Sequence, residues 1–128
     1  MTKKTLPLAD EGSLVEAFDA CAYPIASHDA ASLFNYANPA ALALFKTRLE
    51  NIVGVHSSAS APDFAQQERE KLLAEVTQYG YSENYQGTRT AFDGTLFQIH
   101  NATVWNIIDE LGHYHGQAVV IWSIPTYE

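Results

Sequence analysis

The sequence predicts an α+β fold: an antiparallel five-stranded sheet with helices over one face and an N-terminal helix as the candidate cover for the other. Three observations carry this. Asn38-Pro39 followed by Ala40-Ala-Leu-Ala-Leu-Phe45 is a helix start followed by strong helix formers. The stretch from Asp63 to Tyr79 is mixed-charge and apolar at helical spacing, and Gly80 follows it as a stop. From Tyr81 onward the chain is rich in Tyr, Thr, Ile and Val, broken by the turn signals Asp93-Gly94 and Asp109-Glu-Leu-Gly112.

The elements follow in order. Residues 1–12 read as a polar lead, and 13–128 as one domain. Ser13 with Glu16 forms a capping box for a first helix, with Leu14, Phe18 and Cys21 on one stripe and Pro24 as its stop. Ile25 to His28 and Leu33 to Ala37 are short strands around a turn at 29–32. A short helical turn over 47–52 closes at Gly54, and His56 to Ala61 reads as a loop. The long helix then places Phe64, Leu72, Leu73, Val76 and Tyr79 inward and Glu68, Arg69, Glu70, Lys71 and Glu75 on a solvated side. Strands over 81–91, 95–108 and 113–124 form a three-stranded meander.

In the last hairpin, a loop centred on Glu110-Leu111 sets Trp105 opposite Gly116, to within a residue or two. Strand alternation then gathers Phe97, Ile99, Trp105, Val120, Trp122 and Ile124 on one face. Gln98, His100, Ala102, Val104, Val119 and Ile121 take the other. Both faces need cover, and the tryptophan face is the expected site of a homodimer contact, with the N-terminal helix beside it.

Composition narrows the function. Seven Lys and Arg stand against fifteen Asp and Glu, for a net charge of -8 over 128 residues, and none of the basic residues lies beyond Arg89. That distribution argues against nucleic-acid and anionic-membrane partners, which need a basic surface. The single cysteine, the missing leader pattern and the short apolar runs point to a cytoplasmic protein. A chain this short leaves no space for an output domain, so a signal would pass by association.

The segments Asn38-Pro-Ala-Ala-Leu-Ala-Leu-Phe45, Leu49-Glu-Asn-Ile-Val-Gly54 and the three-stranded ending resemble a PAS domain over about residues 20–124. Within that class, Glu68-Arg69, Leu72-Leu73, Gly80, Tyr85-Gln-Gly-Thr-Arg89, Ala102-Thr-Val-Trp-Asn106 and Gly116-Gln-Ala118 resemble the MEKHLA domain. Thr95-Leu96 departs from it, where a more basic pair is expected. That PAS-like module occurs alone in bacteria and at the C-terminus of some plant homeodomain–leucine zipper proteins. The resemblance implies a sensor that binds a small molecule, or a dimerisation module, and not a defined ligand. It also implies a cavity between sheet and helices, with Tyr36, Phe45, Tyr85, Gln98, His100 and Ile121 as its candidate lining.

The resemblance also brings the cofactor habits of the class, and the residues here depart from them. Val55-His56-Ser57-Ser58 follows Gly54 with no cysteine, which speaks against flavin–cysteine adduct chemistry. The long helix contains no histidine for haem, and His56 just before it is a weak substitute. His113-Tyr-His115 is half of a metal site with no third ligand at a diagnostic spacing. Ser57, Ser58 and Ser60 beside His56 lack a nucleophile elbow. A small isomerase- or hydratase-like enzyme with His100 as base is the alternative, and it lacks an acidic partner on the same wall.

Overall fold

The helix- and strand-forming stretches resolve into α1 (Glu11–Ala20), β1 (Ile25–His28), β2 (Phe34–Ala37), α2 (Pro39–Phe45) and α3 (Leu49–Ile52). Two 3₁₀ turns follow, Ser57–Ser60 and Asp63–Ala65, then α4 (Gln66–Tyr79), β3 (Tyr81–Thr90), β4 (Leu96–Ile108), β5 (Tyr114–Ile121) and the two-residue β6 (Thr126–Tyr127). The structure, a computed structural model, describes residues 11–123 and 126–127. All strand pairs are antiparallel, in the order β2-β1-β5-β4-β3. The short β6 adds beside Phe97 and Gln98 of β4, on the edge that β5 leaves uncovered. The architecture is the α+β, antiparallel sheet with helices expected, with an added sixth strand.

Local chemistry sets the boundaries. Asn38 is wholly buried, and its Oδ1 accepts from the N–H of Ala41 at 2.9 Å, capping α2 with Pro39 at the first helical position. The same oxygen accepts from Ile25 N at 3.0 Å, while Nδ2 donates to Phe18 O and Tyr23 O at 2.9 Å. One side chain therefore ties the end of α1, the start of β1 and the start of α2 together. Gly80 ends α4 in the left-handed conformation, φ 94°. Helix α1 starts at Glu11, inside the expected polar lead, so Ser13 is within the helix rather than at its cap. The rest of that lead, residues 1–10, lies outside the described residues, as do the Leu14 side chain and Ile124.

The last hairpin keeps the expected parity near its turn, with Trp105 opposite Ala118 and Ile107 opposite Gly116. Further along β4 the parity reverses. Tyr85 pairs with Ala102 and Gly87 with Ile99, so three residues of β4 oppose two of β3. This bulge at His100-Asn101 brings Phe97 and Ile99 onto the same side as Ala102 and Val104, in the core beneath the helices. Phe97 and Ile99 therefore do not share Trp105's face as strict alternation requires, and Gln98 and His100 turn to the opposite side.

Two apolar clusters sandwich the sheet. The larger contains Phe34, Phe45, Ile52, Leu72, Val76, Phe97 and Ile121. The smaller contains Ile25, Trp105, Ile107, Ala118 and Val120, against which Phe18, Cys21 and Tyr36 pack. Trp122 remains 46 % exposed, with its ring edge-on to Tyr23 at 5.3 Å and its N–H donated to Thr103 Oγ1 at 2.8 Å.

On α4, Arg69 is only 6 % exposed, whereas Phe64, in the 3₁₀ turn just before that helix, is 74 % exposed. Arg69, Leu72 and Val76 stand at i, i+3 and i+7 and share the inward face. Charge places Arg69 on the solvated side, and its helical phase puts it inside.

Candidate functional site

Between α4, α2, the first 3₁₀ turn and the inner sheet face lies a cavity of about 90 Å³. Phe34, Phe45, Leu72, Ile99, Val104 and Ile121 supply apolar walls. His28, Ser57, Arg69 and Gln117 form a polar end, and Tyr85 and Arg89 a polar flank.

The polar end is one hydrogen-bonded chain drawn from four separate elements. The Gln117 amide nitrogen donates to Leu73 O, Thr77 Oγ1 and Asn106 Oδ1, each at 3.2 Å. Gln117 Oε1 is left as an acceptor, so His28 Nε2 carries the proton that bridges the 3.1 Å between them. In neutral His28, Nδ1 is then an acceptor, and it takes the hydroxyl proton of Ser57 at 2.9 Å. Ser57 Oγ in turn accepts from the Arg69 guanidinium. Burial, chiefly, pushes the His28 pKa below the ordinary imidazole value, with the nearby Arg69 charge acting in the same direction.

On the flank, the Tyr85 hydroxyl donates to Glu68 Oε1 at 2.8 Å, and Arg89 Nη1 lies 3.7 Å from the same oxygen. The Arg89 guanidinium also stacks over the Tyr85 ring, 5.4 Å from its centroid. Burial pushes the Tyr85 phenol up to about 12, so it remains a donor at neutral pH. Arg69 has no such carboxylate: among the described residues its hydrogen bond to Ser57 is its only polar contact.

Of the residues expected to line the cavity, Phe45, Tyr85 and Ile121 do so. Gln98 and His100 do not, because the β4 bulge turns them away; Gln98 accepts from Thr88 Oγ1 at 2.7 Å. Tyr36 belongs to the opposite cluster, donating to Asp19 Oδ1 at 2.6 Å, with burial and that carboxylate raising its pKa. Four residues that sequence reasoning did not bring together, His28, Ser57, Arg69 and Gln117, make the polar end. Arg69 was recoverable from its helical phase with Leu72 and Val76; no local signal pairs His28 with Gln117.

Cys21 packs on the far side of the sheet, and the exposed His56 uses Nδ1 to cap the first 3₁₀ turn, so neither faces the cavity. Asp109 gathers both hairpin histidines, with Oδ2 at 2.9 Å from His115 Nε2 and 3.4 Å from His113 Nδ1. The hydrogen bond to His115 is the main reason its pKa falls to about 2. Among the described residues no three His, Cys, Asp or Glu side chains are grouped to hold a metal, and no helix is long and apolar enough to cross a membrane.

Comparison with known proteins places this geometry. The family model described as the MEKHLA domain matches residues 5–124. Comparison with curated proteins gives no match. Among solved structures, the PAS domain of a protein from Colwellia psychrerythraea is similar with a TM-score of 0.78 at 16 % identity, covering 89 % of this chain and 96 % of that one. The PAS domain of a LuxR-family transcriptional regulator from Burkholderia thailandensis, solved in complex with ethanol, gives 0.65 at 15 %, covering 83 % and 93 %. An RNA-binding Light-Oxygen-Voltage receptor gives 0.71 at 16 %, covering 88 % of this chain and 32 % of that one. At these identities the likenesses concern the fold.

Proposed function

This chain belongs to the MEKHLA domain family, a PAS-type sensor family, and we propose that it is a non-catalytic sensor module that binds a small molecule between α4 and the sheet. The observation that carries this reading is the cavity itself, with apolar walls, a buried polar end and a polar flank. A few fixed polar groups on an apolar wall orient a ligand; a filled core has no use for a buried guanidinium. Binding there would favour one placement of α4 over others, shifting a population that a partner reads.

The experiment is native mass spectrometry and an absorbance spectrum of freshly purified protein, followed by ligand-observed NMR against a library of small polar and apolar compounds. A Val104→Trp variant with a filled cavity is the control. Support is a co-purified or library compound bound by the wild type and not by the variant. Binding indifferent to Val104→Trp, or no binding at all, overturns the reading in favour of an interaction module with a closed core.

The association surface we assign to the outer face, where Tyr23 and Trp122 stack and remain exposed beside the buried Trp105. A second copy of the chain is the proposed occupant. Sedimentation at tens of micromolar should show a dimer that Trp122→Ser weakens; a monomer throughout ends this assignment. The enzyme alternative with His100 as base has lost its geometry, since His100 stands off the cavity. The Ser57–His28 pair ends on the neutral amide of Gln117 rather than on a carboxylate, so nothing there stabilises an imidazolium.

A further inference from the structure

We propose that the ligand of this cavity is a small monocarboxylate with a short apolar body, its carboxylate held by Arg69 and its body against Phe45, Leu72, Ile99 and Ile121. This rests on the small-molecule reading above and adds the chemical class.

The argument begins with charge. Arg69 and Arg89 both line the cavity and both are more than nine-tenths buried. Glu68 answers Arg89, at 3.7 Å. Arg69 has no ion-pair partner among the described residues. An isolated buried charge is costly, and a guanidinium does not escape the cost by losing its proton. Burial and the repelling Arg89 charge act against its protonated form, while the Glu70 carboxylate, outside ion-pair distance, acts the other way with less effect. The interior is therefore short of one negative charge, at a residue whose planar fork matches a carboxylate in two-point contact.

Geometry agrees. Ser57 Oγ takes an N–H from Arg69 and is itself anchored through His28 and Gln117, which holds one edge of the guanidinium in place. A guanidinium carries five N–H donors, so most remain for a ligand. Neither ring nitrogen of His28 is free to compete, each having its partner.

Size and lining favour a small, singly charged anion. The cavity holds about 90 Å³, on the order of six waters' worth of space or an organic molecule no larger than benzene. A phosphate dianion would need several more donors than one unpaired guanidinium, and would face Phe45 and Ile99 on its other side. A branched or short-chain acid satisfies both ends.

The test uses the full chain at neutral pH and three isosteric probes: isobutyrate, isobutyramide and isobutanol. Titrations are followed by ¹H–¹⁵N correlation spectra that include the arginine Nε–H signals. The expected result is that isobutyrate shifts the Arg69 Nε–H, Ser57 and Ile121 signals, and binds about 10-fold or more tighter than the amide. Arg69→Gln should abolish that preference and Arg69→Lys should keep part of it. Should Arg69→Gln not fold, the acid-to-amide ratio in the wild type decides alone. Equal binding of acid and amide in the cavity overturns the carboxylate proposal and leaves the small-molecule reading standing. Acid-induced shifts confined to surface Lys46 and Arg48 overturn it as well. If none of the three probes perturbs any cavity residue, the carboxylate proposal fails, and the ligand library above then decides the broader reading.

Discussion

Gln117 Oε1 lies 3.1 Å from His28 Nε2, a buried contact between residues 89 positions apart in the chain. It joins β5 to β1 through side chains as well as through the sheet, and it fixes which imidazole nitrogen holds the proton.

That contact makes a pH prediction. His28 has a pKa below 6.5 in the folded protein, because burial disfavours its charge. Above 6.5 it is neutral in both folded and unfolded chains and contributes no pH dependence. As the pH falls below 6.5 the unfolded chain takes up the proton first, so stability is lost, by about 1.4 kcal/mol per pH unit, until the lowered folded value is reached. Urea denaturation between pH 5 and 7 should show this slope, and His28→Gln should flatten it. A slope unchanged in His28→Gln would assign the effect to other groups.

Asn38 is the next test. Its side chain satisfies two backbone N–H groups and two carbonyls at under 3.1 Å with no exposure to water. Asn38→Ala removes a helix cap and strands the buried Ile25 N–H, for a loss of about 3 kcal/mol in chemical denaturation. A loss under about 1 kcal/mol would mean that water replaces the amide.

Gly116 sits at φ +124° in β5, and a Cβ there would collide with the His28 carbonyl oxygen and the Asp29 backbone. Gly112, at φ +84°, would meet no atom. Gly116→Ala should therefore destabilise the fold markedly more than Gly112→Ala, whose cost is limited to about 1–2 kcal/mol of backbone strain. Comparable melting temperatures for the two variants would contradict the close approach of β5 to the β1–β2 turn.

The β4 bulge separates two neighbours. Ile99 faces the cavity and His100 faces away. Ile99→Ala should cost about 2–5 kcal/mol and alter small-molecule binding, whereas His100→Ala should leave that binding within about two-fold, well inside the 1.4 kcal/mol that a factor of ten represents. Lost binding in His100→Ala alone would restore the strict alternation that the structure replaces.

Much of this protein was legible in the amino-acid sequence. Asn38-Pro39, Gly80, Asp93-Gly94 and Asp109–Gly112 mark boundaries through local backbone preferences, and those preferences act over a few residues. The element order and the sheet's antiparallel character follow from them; the family was legible from the resemblance of motifs such as Tyr85–Arg89 and Ala102–Asn106. The resemblance proposed Phe45 and Tyr85 for the cavity wall, and for Ile121 strand alternation agreed with it.

Tertiary structure alone decided the rest. A bulge needs a partner strand to define it, so no pattern within β4 showed that Phe97 and Ile99 would change sides and that Gln98 and His100 would leave the cavity. Arg69 carries a charge that argues for water, and only the folded chain shows it buried with its guanidinium donating to Ser57. The His28–Gln117 bond closes 89 residues of chain, and hydrogen-bond satisfaction in a dry interior, rather than any local propensity, selects it. Local propensity set where the elements begin and end; burial, which only the assembled sheet and helices define, chose the side chains that make the site.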